Sequence, residues 1–376
     1  MKRGESLQRE EVRLDPAAAA AAILVAMHQR VPVVLWSHPG VGKTALVCQI
    51  GERLGRLVAT LVGSTLEATD IGGYPVLGEQ GVEFRPPAQL ARIAGTDAIL
   101  FLDELTTSPP PVQAAMLKLV LDRRVGNLAL GDRVAIVAAA NPPESAADGY
   151  DLAPPMANRF CHLGLEAHPE VWIDGMLGGW KLMPLPELGD VSASSAIALV
   201  TGFIRARPEL LNPGPPADRV QAGRAWPSPR SWDMATRLLA AADAVELRRS
   251  TLFALVAGCV GSGAATELLA YRARLNLPDP EALLAGEDSI TEFASADLVF
   301  AGLAGLCHAV AANPTEERLL SAFEVVAKVA REHGSDTAVP TARRLIIIHN
   351  EHGVEWVPPA VLKDHAPLLR AAGVLS

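Results

Sequence analysis

The short apolar run Val31–Trp36 opens into Ser37-His38-Pro39-Gly40-Val41-Gly42-Lys43-Thr44 and then into Ala45-Leu46-Val47-Cys48-Gln49-Ile50. A short apolar run bounded by a turn reads as a buried parallel strand, and the segment after Thr44 has the composition and spacing of a helix. Strand, glycine loop closing on Gly-Lys-Thr, helix is the context that gives such a loop a phosphate-binding meaning. Gly40 and Gly42 let backbone N–H groups turn inward with no Cβ in the way. The helix start aims its free N–H groups and its positive end at the same anion. On this reading Pro39, Gly40, Val41, Gly42, Lys43, Thr44 and Ala45 form the cradle. Lys43 reaches the β- and γ-phosphates, and the Thr44 hydroxyl lies on Mg²⁺. The first loop position, glycine in the usual pattern, is Ser37, which takes a turn conformation less freely.

A second stretch, Ala98-Ile99-Leu100-Phe101-Leu102-Asp103-Glu104-Leu105, ends a buried strand in two carboxylates. In an open α/β sheet that end lies on the edge where ligands bind. Asp103 would support the metal, and Glu104 would polarise the attacking water. An acidic turn after a strand is common by itself; downstream of a phosphate loop it points to nucleotide hydrolysis. A third apolar strand, Val134–Ala140, runs into Asn141-Pro142-Pro143. Asn141 there either holds the lytic water or the γ-phosphate, or merely opens a turn before two prolines.

Length and composition bound the alternatives. The chain has 376 residues, enough for two domains, and 49% of them are hydrophobic, so a sizeable core forms. The net charge of −9 argues against a general polyanion-binding surface. Cys48, Cys161, Cys259 and Cys307 lie far apart without a C-x-x-C pair and read as small core residues in a reducing compartment. The longest apolar run, Ala17–Met27, is too short to cross a bilayer, and Met1–Leu14 has no hydrophobic leader. A soluble cytoplasmic protein with no membrane association is expected.

Between the motifs, Pro16–Gln29 reads as an Ala-rich helix and Arg56–Val62 as a strand. Thr69 or Asp70 would cap a short helix, which Gly72-Gly73 and Pro75 stop. Val76-Leu77 and Val82-Glu83-Phe84 then form a β-hairpin, and helix resumes over Ala88–Ala94. Pro109–Arg124 is amphipathic helix. Val125–Arg133 reads as a second hairpin and Cys161–Leu165 as another strand. Glu166–Asp190 is expected to be a connector. Beyond it Ser192–Arg205, Arg230–Leu247, Thr251–Val260, Thr266–Leu275 and Glu316–His333 look helical. Leu345–Ile348 keeps a strand signal, inside a mixed tail from Ser335 to Ser376. Arg230 falls at a helix start, where the macrodipole disfavours a cation, so it either faces a partner charge or is simply solvated.

This order of motifs resembles the MoxR-like branch of the AAA+ ATPases over roughly Val12–Ala240. Pro39–Thr44 matches the phosphate loop and Leu100–Glu104 the acidic strand. Asn141-Pro142 stands in the sensor-1 place, and Ala157-Asn158-Arg159-Phe160 in the arginine-finger place. Ser228-Pro229-Arg230-Ser231 stands in the sensor-2 place. The stretches at about 70–84 and 125–133 resemble the helix-2 insert and pre-sensor-1 hairpin of that clade.

The resemblance implies an α/β P-loop core over 1–190, a mostly α-helical lid over 191–334 and a C-terminal extension over 335–376. It implies ATP and Mg²⁺ as cofactors, with Lys43 and Thr44 on phosphate and metal, Asp103 supporting the metal and Glu104 activating water. Asn141 would sense the γ-phosphate, Arg159 would reach the nucleotide of a neighbouring copy, and Arg230 would read it from the lid. Arg123 is a second interface candidate. A homo-oligomeric ring, a hexamer, is implied, remodelling a protein substrate with a von Willebrand factor A-domain partner. A nucleic-acid motor and a nucleotide-gated structural ring are the alternatives; the acidic balance weighs against the first and Glu104 against the second.

Overall fold

The structure is a computed structural model that describes residues 12–78, 81–142, 145, 149–180, 184–274, 278–290 and 296–353. The chain divides into two compact units, Met1–Gly189 with Asn212–Thr266, and Asp190–Leu211 with Glu267–Ser376. These bounds differ from the expected 191–334 and 335–376: residues 212–266, including Arg230, go with the first unit.

The first unit opens with β1 (Arg13–Leu14), α1 (Pro16–His28), β2 (Val33–Trp36), α2 (Lys43–Leu54) and β3 (Leu57–Val62). A short α3 (Ala68–Gly72) leads to the strand pair β4 (Tyr74–Gly78) and β5 (Gly81–Arg85), then α4 (Ala88–Ile93) and β6 (Ala98–Asp103). After α5 (Pro110–Asp122) come β7 (Arg124–Val125), β8 (Leu128–Ala129), β9 (Val134–Ala140), α6 (Pro154–Ala157), β10 (Cys161–Leu165) and α7 (Pro169–Gly178).

Six strands form one parallel sheet in the order β1-β10-β2-β9-β6-β3. Every residue of β2, β9 and β10 is buried, as expected of parallel strands covered on both faces. Because the strands are parallel, their C-terminal ends share one edge. Trp36 pairs with Ala140, and Leu102 with Ala138. The loop after Trp36, the carboxylates at Asp103 and Glu104, and Asn141 therefore emerge side by side.

α1 is apolar around most of its circumference and sinks seven residues into the core, the pattern of a helix enclosed by protein. The Asp15 carboxylate caps it by accepting from the Ala18 N–H at 2.8 Å.

α3 is capped two to three residues earlier than expected. Its N-cap is Glu67, and Asp70 closes a capping box from the third helical position by accepting the Glu67 N–H. The hairpin β4–β5 forms in the expected place, with Val76 opposite Glu83; its Glu79-Gln80 tip lies outside the described residues. The second hairpin is shorter than its expected span, pairing only Arg124 with Ala129 and Val125 with Leu128. The two meet at Gly126 (φ +54°), where a Cβ would come within 2.3 Å of the Phe84 carbonyl oxygen, so this turn has no room for a side chain.

The expected connector after β10 contains the helix α7, which leaves Trp172, Met176 and Leu177 exposed.

The second unit contributes α8 (Ser194–Ala206). The chain then returns to the first unit with α9 (Arg219–Ala222) and α10 (Pro229–Ala244). α11 (Arg249–Arg274) spans the boundary between the two units, and α12 (Pro280–Ala285), α13 (Ala296–Ala312), α14 (Glu316–His333) and α15 (Ser335–His352) complete the second. Two separate helices are expected where α11 lies, and its backbone does leave the helical region between them, at Gly261 (φ 81°, ψ 154°). By length and composition α11 could cross a membrane, but 61% of its most apolar stretch is buried in protein.

The strand signal at Leu345–Ile348 is overturned: the run lies within α15. Leu345 and Ile348, one helical turn apart, are both fully buried in a cluster with Leu306, Val310, Phe323 and Val326. Four consecutive apolar residues fit either element, and packing decided for the helix. The part of the expected tail beyond residue 353 lies outside the described residues.

Candidate active site

The loop after β2 is shaped by two glycines in the left-handed region, Gly40 (φ 81°) and Gly42 (φ 101°). Open space faces both of them, so their backbone is free to approach a ligand. Gly42 is the N-cap of α2 and supplies no capping side chain. The first N–H groups of that helix are therefore free of side-chain partners and directed at whatever the loop encloses.

Lys43 Nζ turns back into the loop. It donates to the Ser37 carbonyl (3.0 Å), Ser37 Oγ (2.9 Å), and Asn141 Oδ1 (2.7 Å). Burial lowers its pKa, partly offset by the nearby Asp103 charge. The Thr44 hydroxyl donates to Asp103 Oδ2 at 2.8 Å, and Asp103 Oδ1 accepts the Glu104 N–H at 2.9 Å. Both carboxylate oxygens of Asp103 are thus engaged, one by the loop and one by the residue beside it.

Glu104 stands at φ 57°, an uncommon conformation for a residue with a side chain and one that costs of order 1–3 kcal/mol. Its carboxylate Oε2 accepts a hydrogen bond from the Ser64 hydroxyl. Ser64 sits in the turn after β3, and Val62 of β3 pairs with Asp103 of β6. The sequence reading missed Ser64, because the contact depends on β3 and β6 being neighbours. It also missed Thr106, whose hydroxyl accepts from the Asn141 N–H and donates to the Asn141 carbonyl, both at 3.1 Å. That reciprocal pair fixes the end of β9.

Of the residues expected at the site, Lys43, Thr44, Asp103 and Asn141 are brought into direct or adjacent hydrogen bonding, with Glu104 next to them. Arg159 and Arg230 are not among these contacts. Arg159 follows α6 and donates to the Pro155 carbonyl. Its pKa is lowered by burial and by the neighbouring charge of Arg230, so these two cations lie close together in the first unit. Arg123 turns inward: its guanidinium donates to the carbonyls of Gly131 (2.8 Å) and Val134, which bind it to the chain following the second hairpin.

Beneath the loop lies a buried polar pair. Trp36 Nε1 donates to His162 Nδ1 at 3.0 Å, and His162 Nε2 donates to the Ala157 carbonyl at 2.8 Å. Burial, reinforced by the charge of Arg224, pushes the imidazole pKa down to about 3 despite the Ala157 bond. The Arg224 guanidinium lies 3.4 Å from the centroid of the Trp36 ring, a cation–π contact.

The donors suit a hard cation bound together with phosphate. Thr44 and Asp103 offer a hydroxyl and carboxylate oxygens, the ligand types Mg²⁺ takes. Among the described residues no group of three or more His, Cys, Asp or Glu gathers to hold a metal alone. A cation here would thus share these two residues with the oxygens of a phosphate ligand.

A parallel sheet with a glycine loop opening α2 and paired carboxylates at the end of β6, one strand removed from β2, defines a P-loop nucleotide-binding core. Residues 32–160 match the AAA domain of the dynein-related subfamily. Protein MoxR of Methylorubrum extorquens is 29% identical over 108 residues, which cover 28% of this chain and 32% of that protein. The match thus spans about a third of the length of that curated relative. A crystal structure described as that of an ATPase from Cytophaga hutchinsonii is 15% identical with a TM-score of 0.45, covering 71% of this chain and 91% of that one, a likeness too distant to argue from. The chain thus carries a stretch, residues 32–160, similar to an AAA domain, and resembles MoxR over 108 residues.

Proposed function

We propose that this chain binds ATP with Mg²⁺, hydrolyses it, and uses the cycle as a ring of copies to remodel or assemble a protein complex. The observation that carries the reading is the Thr44–Asp103 hydrogen bond, which joins the phosphate loop to the acidic strand end across 59 residues of sequence. A bound Mg²⁺ would supply positive charge to the phosphate oxygens. Lys43 would hold the β- and γ-phosphates with its ammonium, Glu104 would orient the attacking water and draw its proton, and Asn141 would contact the γ-phosphate.

Among the described residues, neither Arg159 nor Arg230 hydrogen-bonds to Lys43, Thr44, Asp103 or Glu104. That supports their acting on the nucleotide of an adjoining copy, where a guanidinium stabilises the charge developing on the transferred phosphoryl. A hexameric ring, a von Willebrand factor A-domain partner and a cytoplasmic setting complete the proposal, on the strength of the resemblance alone.

The test is ATP turnover by the purified chain with Mg²⁺ and with excess chelator. Magnesium-dependent release of phosphate, lost in Lys43→Ala together with ATP binding, is expected. Tight ATP binding by Lys43→Ala would overturn the loop assignment. ATPase activity stimulated by DNA and lost steeply with salt would instead favour a nucleic-acid motor.

A further inference from the structure

Where the end of α6 meets the start of α10 lies a closed cluster of buried polar groups that the reaction scheme leaves unassigned. Asn158 (5% exposed) donates from Nδ2 to the Trp226 carbonyl at 3.1 Å and accepts at Oδ1 from the Ser228 hydroxyl at 2.7 Å. Ser228 is the N-cap of α10 and accepts the Ser231 N–H at 3.1 Å. Ser231 Oγ in turn accepts the Ser228 N–H at 2.8 Å and donates to the same Trp226 carbonyl at 3.0 Å. Each side-chain group in this ring has its partner within the ring. Buried networks of this kind hold one geometry when complete and become costly when a member is removed.

What the cluster holds is specific. The residue after Asn158 is Arg159, and Arg230 lies in the first turn of α10, two residues past Ser228. Among the described residues neither guanidinium has a carboxylate within ion-pair distance. The two cations nonetheless sit near enough for the charge of one to lower the pKa of the other. Like charges side by side repel, and Arg230 also opposes the positive end of its own helix. Something must hold them there, and the Asn158–Ser228 bond is the direct tie between their two segments.

We propose that Asn158 is a positioning residue that locks the Arg159 and Arg230 segments together, so that both guanidiniums meet one anionic ligand, the triphosphate of an adjoining copy, as a fixed pair. The inference rests on the ATPase reading above and goes beyond it in assigning a role to the carboxamide and to the Ser228 hydroxyl. Asn158 itself touches no nucleotide in this scheme. Its effect passes through the arginines, so it belongs to turnover and not to the affinity of the Lys43 loop for ATP.

The experiment measures kcat, KM and the affinity for a fluorescent ATP analogue in the full chain carrying Asn158→Ala, Arg159→Ala or both. Asn158→Ala is expected to lower kcat at least tenfold with analogue affinity within about threefold of wild type, and to add little further loss on the Arg159→Ala background. Ser228→Ala should lower kcat in the same direction and Ser228→Thr, which keeps the hydroxyl, should restore it. This pair serves as the test if Asn158→Ala does not fold. Losses that multiply independently in the double variant, or a folded Asn158→Ala with wild-type kcat, would overturn the inference while leaving the ATPase reading intact. A folded Ser228→Ala with wild-type kcat would do the same. A wild-type chain that neither binds the analogue nor turns over ATP would instead overturn that reading and this inference with it.

Discussion

Lys43 Nζ lies 2.7 Å from Asn141 Oδ1, joining the loop after β2 to the end of β9 across 98 residues of sequence. Two readings of Asn141 stood open in the sequence, a phosphate contact or a plain turn opener. A side chain that reaches the loop lysine favours the first. Asn141→Ala should therefore cut turnover about 10²-fold, the scale of losing one preorganised polar contact to the reacting group, with ATP affinity within about threefold. Steady-state turnover beside a binding titration checks this; unchanged kcat would return Asn141 to a turn.

The buried His162 gives a pH prediction. Its folded-state pKa, about 3, is depressed below the ordinary histidine value near 6.5. Below about pH 6.5 the unfolded chain takes up a proton that the folded chain refuses, so stability falls as pH falls, until folded His162 itself protonates near pH 3. At full slope the loss is about 1.4 kcal/mol per pH unit from this group. Denaturant midpoints of wild type and His162→Gln between pH 7 and 5 should diverge accordingly. Wild type should lose stability more steeply by up to one proton, and parallel curves would contradict the assignment.

Mixing subunits tests whether Arg159 acts between copies. Arg159→Ala and Lys43→Ala are each expected to be nearly inactive alone, since a supplied arginine is worth about 10³–10⁵ in rate. Mixed, they should recover part of the activity, because an intact phosphate loop on one copy can face an intact Arg159 on another. Co-assembly shown by size-exclusion chromatography without any recovery would place Arg159 outside that role.

The central sheet was legible because fully buried parallel strands write themselves as unbroken apolar runs: Val33–Trp36, Ala98–Leu102 and Val134–Ala140 needed no partner to be recognised. Asp103, Glu104 and Asn141 could be placed at the sheet's edge because they follow directly on two of those runs, and the glycine loop because it follows the third. Ser64 was not, since its meeting with Glu104 depends on strand order, which no local pattern carries. Leu345–Ile348 misled because a short apolar run has no period of its own; only the buried pair Leu345 and Ile348, one turn apart, reveals the helix. The helix Pro169–Gly178 was hidden within Glu166–Asp190, a segment whose glycines, prolines and tryptophans read as a connector. The division of the chain escaped because the sequence runs through 190–211 and returns to the sheet at 212, a path that composition does not mark.

The most direct test of the whole account is the fate of ATP on Glu104→Gln. This change removes the carboxylate that draws a proton from water but leaves the Lys43 loop, the Thr44 hydroxyl and Asp103 in place. The account predicts that the variant binds MgATP as tightly as wild type and retains it uncleaved, with single-turnover hydrolysis slowed about 10²–10⁴-fold. Hydrolysis at the wild-type rate by Glu104→Gln would contradict it.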